Sequence, residues 1–154
     1  MEKRNKQFAF VSVVIPCGRP DRVEKLLLAL ASQSCGRESY EIILVTPRDA
    51  TIPSLEDKVD KIIRTEALYA PGKMRNIGAQ AAKGEIICFI DDDCLPSADW
   101  ISDMTAAFAA DAAVGAIGCR VVSRGKGFWA RCADYALFSA YQYFLMVYDG
   151  INFC

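Results

Sequence analysis

The chain has no histidine among its 154 residues. That absence removes serine–histidine and cysteine–histidine nucleophilic catalysis, and with them the commonest zinc ligand. Chemistry must then rest on carboxylates, on lysine and arginine, or on thiols. An excess of charge is also lacking. Eighteen Lys and Arg against 19 Asp and Glu leave a formal net charge of −1, so no basic surface argues for nucleic acid as a partner. The seven cysteines include no C-x-x-C pair. Neither a zinc site nor a disulfide framework is suggested, and the expected compartment is reducing, hence cytoplasmic. No long hydrophobic run is present either. The uncharged stretch Tyr135 to Tyr148 is too short to span a bilayer. The charged start Met1–Lys6 is followed by a short, β-branched apolar segment that ends at Pro16-Cys17-Gly18-Arg19-Pro20. That pattern reads as a first strand, not as a signal peptide with a small-residue cleavage site.

What is present suits a single domain over 1–154, with 53% apolar and 24% charged residues. Phe8 to Ile15 is a continuous apolar run, the mark of a strand buried on both faces. A helix is predicted from Asp21, with Asp21 and Glu24 at N-cap and N3 spacing. Val23, Leu26, Leu27 and Leu30 give it one apolar face. Tyr40 to Val45 and Val59 to Arg64 read as the second and third strands. Pro71-Gly72 opens a helix expected to run to about Lys83, with Gly84 closing it. Glu85 to Ile90 is a fourth strand, Ser97 can cap a helix carrying Trp100, Ile101, Met104 and Phe108, and Val114 to Val122 is a fifth strand. Phe128 to Tyr148 is an aromatic helical segment, read as a packed core helix before a lid or membrane-surface helix, and as a spanning segment last. The alternation predicts an α/β fold with a mainly parallel, Rossmann-like sheet flanked by helices.

In such sheets ligands bind outside the carboxyl ends of the strands. Two loops are expected there: Pro16–Pro20 and Asp91-Asp92-Asp93. Three adjacent carboxylates repel each other and lose hydration when partly buried, so a cation is expected to balance them. Oxygen ligands suit Mg2+ or Mn2+, which keep water and share their shell with substrate phosphates. The bland alternative is a solvated acidic turn. A second cluster, Lys73, Arg75 and Asn76, falls in the first turns of a helix, where free N–H groups and the dipole favour an anion. Arg19 and Arg22 flank the first loop and, taken alone, read as solvated charges.

Together these pieces resemble the inverting family 2 glycosyltransferases of GT-A fold. The matching segments are VSVVIPCGRPDRVEKLLLALASQ, YEIILV and GKMRNIGAQAAKGEIICFIDDDCLPSADWI. The resemblance spans residues 8–123, the expected nucleotide-sugar-binding part. It implies a nucleotide-diphosphate sugar as donor, a UDP-sugar above others, with Mn2+ or Mg2+, and a saccharide or lipid-linked acceptor of the cell envelope. By position Asp93 resembles the metal-ligating aspartate, with Asp91 also toward the metal. Asp91 and Asp92 resemble the positions near the ribose and the diphosphate. Pro16, Cys17 and Gly18 resemble the loop under the base, and Arg75 resembles the arginine of the family's Arg-Asn pair. The implied setting is the cytoplasm, at the inner face of the membrane, with peripheral contact through 128–148.

Three departures stand out. Cys17-Gly18-Arg19 replaces the usual Thr-Tyr-Asn. The family's uracil-reading aspartate after the second strand is replaced by Thr46-Pro47-Arg48-Asp49. No general base is assignable among the later acids Asp99, Asp103, Asp111, Asp134 and Asp149. The chain therefore reads as a donor-binding half that stops before the acceptor-binding half. Two rivals differ in class. One is a degenerate, non-catalytic domain. The other is a phosphatase of the haloacid dehalogenase type, with Asp91 as nucleophile and Asp93 as acid, which also needs a later lysine and acidic pair; only Lys126 follows.

Overall fold

A computed structural model describes residues 9–52, 56–119, 121, 125 and 127–133. It divides into two compact units, residues 1–105 and residues 106–154.

The first unit holds a four-stranded, wholly parallel sheet. Its strands are β1 (Val11–Pro16), β2 (Tyr40–Pro47), β3 (Lys61–Thr65) and β4 (Ile86–Phe89), in the order β3-β2-β1-β4. Register is set by Val13 opposite both Ile42 and Cys88. Helix α1 (Val23–Ala31) links β1 to β2, and α2 (Pro71–Gln80) links β3 to β4. A third helix, α3 (Trp100–Ala110), follows β4.

Side-chain alternation along the strands builds two cores. Val11, Val13 and Ile15 of β1 pack with Val23, Leu26, Leu27 and Leu30 of α1 and with Ile101 of α3. Val14, Ile43, Val45 and Met74 of α2 pack on the opposite face. Every residue of β1 and β2 is buried, which is why both read as unbroken apolar runs. Edge strand β3 shows the same division, with Ile62 against the first core and Ile63 against the second. Each fully buried Leu of α1 contributes about 1.5–3 kcal/mol relative to exposure.

Several boundaries differ from expectation. Helix α1 starts at Val23, with Arg22 at the N-cap and no side-chain cap bond. The predicted Asp21–Glu24 capping box is not made, because Pro20 to Arg22 close a turn that delivers the chain from the first loop. Helix α2 ends at Gln80, short of Lys83. The chain leaves it early so that Lys83 and Gly84 can donate their N–H groups to Ser12 Oγ at 3.2 and 2.8 Å. Ser12 Oγ in turn donates to Glu41 Oε1 at 2.6 Å, and Lys83 N–H also reaches that oxygen at 2.7 Å. Gly84 is therefore not the helix cap. A Cβ there would lie 2.5 Å from Ser12 N and 2.8 Å from Phe10 O, so only glycine allows β4 to enter the sheet beside β1.

Ser97 was expected to cap α3. The first-turn acceptor is instead Gln33, which ends α1's connection. Ile101 N–H donates to Gln33 Oε1 at 3.0 Å, and Gln33 Nε2 donates to Ser97 O at 2.7 Å.

In the second unit the predicted strand over Val114–Val122 does not form in its described residues. Gly115 and Gly118 weaken strand packing there, having no side chain to lay on a pleated surface. Helix α4 (Phe128–Ala133) carries the T-shaped pair Phe128–Trp129, ring centroids 5.4 Å apart, both exposed. The remainder of the aromatic segment, 134–148, lies outside the described residues. Among the described residues no helix is long and apolar enough to cross a membrane.

Candidate functional site

The strand order places the site. The chain moves outward from β1 to β2 to β3, then returns to add β4 on the other side of β1. The crossover helices α1 and α2 pack on opposite faces of the sheet, and the strand order reverses between β1 and β4, which opens a crevice at their carboxyl ends. Ile90 N–H still donates to Val14 O at 3.2 Å and Cys17 N–H to Val45 O at 2.8 Å. The two predicted loops begin immediately beyond these bonds.

Asp92 joins them. Its side chain is only 6% exposed. Oδ2 accepts the backbone N–H of Gly18 at 2.9 Å and of Arg19 at 2.8 Å. Oδ1 accepts Arg19 Nη2 at 3.2 Å. The second carboxylate of the triplet is thus the staple that holds the β1 loop against the β4 loop.

Asp93 and Asp91 stand outside this staple. Arg19 Nη2 donates to Asp93 Oδ2 at 2.6 Å, and both side chains are about half exposed. Arg75, in the second turn of α2, donates through Nη2 to Asp91 Oδ1. The Arg19 guanidinium has its pKa raised, first by the bond to Asp93 and then by the charge of Asp92. Arg19 had read as a solvated charge, and its partners are 73 and 74 residues away. No local pattern could have paired them. Arg22 meets the expectation of an exposed charge, 4.0 Å from Asp21.

The remaining expected residues are placed as follows. Pro16 ends β1 and is buried. Cys17 is fully buried, and its thiol is raised to about 11, chiefly by burial and then by Asp92. Gly18 is exposed, with Leu68 Cδ1 3.4 Å from where a Cβ would sit. Cys94 is raised by burial and then by Asp91. Lys73 stacks its ammonium 3.4 Å from the Tyr69 ring centroid, a cation–π contact that draws it from the triplet. Asp49 sits exposed in the turn after β2. A cleft of about 290 Å³ opens beside the triplet, lined by Asp21, Arg22, Lys25, Asp92, Asp93 and Leu95. It gathers Asp92 and Asp93 but not Asp91 or Arg75.

The donor set fits one kind of cation. Among the described residues no three acidic or thiol groups converge into a closed metal cage. Asp91 and Asp93 are half exposed hard-oxygen donors. Such a pair suits Mg2+ or Mn2+, which are held by one or two carboxylates and complete their shell with water and phosphate oxygens.

Comparisons with known proteins bear on the family and the fold. The family model described as glycosyl transferase family 2 matches residues 12–150. Glycosyltransferase AglE of Haloferax volcanii is 31% identical over 103 residues, covering 60% of this chain and 33% of that protein. Among solved structures, residues 1–349 of S. aureus TarS in complex with UDP-GlcNAc superpose with a TM-score of 0.65 at 23% identity. The match covers 77% of this chain and 36% of that one. The mannosyltransferase PcManGT of Pyrobaculum calidifontis, in complex with GDP-Man and Mn2+, gives 0.61 at 21% identity, covering 75% and 36%. At these identities the structures speak for a shared fold. This chain spans about a third of the length of AglE. With the family match running from β1 past the aspartate triplet, the chain belongs to glycosyl transferase family 2.

Proposed function

We propose that this chain binds a nucleotide-diphosphate sugar, a UDP-sugar by preference, in the crevice between the β1 and β4 loops. In this reading Asp93 and Asp91 hold Mn2+ or Mg2+. Pro16, Cys17 and Gly18 form the floor under the base, and Arg75 faces the diphosphate. Asp92 acts by fixing the loop that carries these groups. The observation that carries the reading is the carboxylate triplet at the sheet's switch point, with two arginines aimed at it. The AglE, TarS and PcManGT likenesses add to it, the last two having been crystallised with nucleotide sugars.

When bound, the cation would neutralise charge developing on the departing nucleoside diphosphate. This chain's residues bind and orient the donor for an inverting displacement by an acceptor hydroxyl, saccharide or lipid-linked. That displacement needs a carboxylate base. The described acids after the triplet, Asp99, Asp103 and Asp111, are exposed and lie on or beside α3, and Asp134 and Asp149 lie outside the described residues. We therefore propose that the 154 residues bind donor without transferring sugar efficiently. The phosphatase reading is set aside by the family assignment. We further place the protein in the cytoplasm at a membrane face, with the exposed Phe128 and Trp129 in peripheral contact; vesicle flotation that leaves the chain unbound would remove that part.

Calorimetry with Mn2+ and UDP tests the donor site. Wild type should bind UDP more tightly with Mn2+ than with EDTA, and Asp93→Ala should lose that difference. Equal affinity in the two proteins would sink the metal assignment.

A further inference from the structure

Each carboxylate of the triplet already holds an arginine: Asp91 holds Arg75, and Asp92 and Asp93 share Arg19. A divalent cation on Asp93 and Asp91 would approach carboxylates of which one oxygen each, Asp93 Oδ2 and Asp91 Oδ1, is already taken by a guanidinium. Arginine and metal, both cationic, therefore compete for the same two carboxylates.

The two arginines are built to yield without the fold yielding. Arg19 is anchored by its backbone N–H on Asp92 Oδ2 at 2.8 Å, while its guanidinium is about half exposed. The fork can swing from Asp93 with the loop left in place. The Arg75 side chain is about one-third exposed, on a helix whose Met74 and Gly78 carry the buried contacts. A guanidinium displaced by a divalent cation is repelled by that cation. It is attracted by any diphosphate beside it, for which its planar fork is well matched.

We propose that Arg19 and Arg75 are internal counter-ions that exchange partners when the donor binds. The cation takes the Asp93 and Asp91 carboxylates, and the arginines turn to the diphosphate oxygens. Cation and nucleotide then bind weakly alone and strongly together, and the coupling is reciprocal because it is a property of binding free energies. The inference rests on the donor-site reading above and adds to it a role for Arg19, which the family pattern did not assign.

The test is calorimetry on the whole chain, with Mn2+ alone, UDP alone and both, supported by electron paramagnetic resonance of free Mn2+. In wild type, Mn2+ should tighten UDP by about 10-fold or more, inside the roughly 5- to 150-fold range usual for coupled sites. Arg19→Gln should bind Mn2+ alone several-fold more tightly, since its competitor is gone, and the coupling factor should fall toward unity. Arg19→Lys should restore part of the coupling. Arg75→Gln should move both quantities in the same direction, and it keeps the test available should Arg19→Gln fail to fold. Arg22→Gln removes an equal charge from the cleft beside Asp92 and Asp93 without breaking a bond to the triplet; it should change Mn2+ affinity by less than about two-fold.

Wild type that binds Mn2+ and UDP with strong coupling, together with an Arg19→Gln protein whose Mn2+ affinity is unchanged, overturns the exchange and leaves the donor site standing. An Arg22→Gln protein that matches Arg19→Gln also overturns it, by showing that net charge alone is at work. Wild type that binds neither ligand ends both readings.

Discussion

Replacing Asp92 by alanine should separate a loop staple from a ligand. The carboxylate accepts two backbone N–H groups, from Gly18 at 2.9 Å and Arg19 at 2.8 Å, and its side chain is almost fully buried. A hydrogen bond to a charged acceptor is worth about 1.5–3 kcal/mol net. Gly18 and Arg19 are exposed residues, so water recovers part of that loss. Two such bonds with partial recovery give an expected cost of about 2–4 kcal/mol. The Arg19 side-chain pair adds no figure, since its guanidinium is solvent-screened. Urea unfolding followed by circular dichroism reads the loss as a lower midpoint at unchanged slope. Asp93→Ala supplies the contrast. Its side chain is 46% exposed and among the described residues bonds only to the Arg19 guanidinium, so its cost should stay within about 0.5 kcal/mol. On the donor-site reading proposed above, UDP affinity should fall in both variants, in Asp92→Ala because the loop is loose and in Asp93→Ala because the proposed metal ligand is gone. If Asp92→Ala unfolds within 0.5 kcal/mol of wild type, or if Asp93→Ala is equally destabilised, the division of labour within the triplet is wrong.

Gly78→Val should cost about 1–3 kcal/mol by overpacking, because a Cβ at Gly78 already meets Val14 Cγ1 and comes within 3.2 Å of Val45 Cγ2; thermal denaturation checks it. Gln33→Ala removes the side chain that ties Ser97 O and Ile101 N–H, and should lower stability by about 1–3 kcal/mol, with faster amide exchange at Ile101. Cys17 keeps its proton in the folded state to about pH 11, against 9.0 for an ordinary thiol, so its contribution is full below pH 9 and is lost as pH rises through about 11. Cys17→Ala should show a shallower loss of stability between pH 9 and 11.

The sheet was legible because its central strands are covered on both faces. β1 and β2 are buried along their whole lengths, and a strand in that setting has no polar face to interrupt its apolar run. The face of α1 was legible for the same reason, since Val23, Leu26, Leu27 and Leu30 repeat at the helical period and are the residues that pack. Helix ends were less legible because tertiary bonds moved them. The Ser12–Glu41 pair draws Lys83 and Gly84 off the end of α2, and Gln33 replaces Ser97 at the start of α3. A capping rule describes a helix that ends in water; these ends are buried against groups from other strands and helices. The expected fifth strand fails differently, over a segment whose apolar residues alternate with Gly115 and Gly118.

The same distinction governs the site. Carboxylates in a row after a buried strand are visible locally, and so is an arginine one turn into a helix. What joins them depends on β4 entering beside β1 and not beside β3, and hydrophobic periodicity carries no information on strand order. Once that order is known, the Pro16–Pro20 loop has to face the triplet, and Arg19 is the cation in it that reaches Asp92 and Asp93. Its solvated appearance in the sequence followed from having no partner within one helical turn. The staple gives the middle member of the triplet a role separate from the cation proposed for the outer two. The middle carboxylate is spent on the backbone of the neighbouring loop. Asp91 and Asp93 are left on either side of it, each facing a different arginine. Had the middle position been an uncharged residue, the β1 loop would have lost its acceptor, and the two outer carboxylates would have had no fixed relation to that loop.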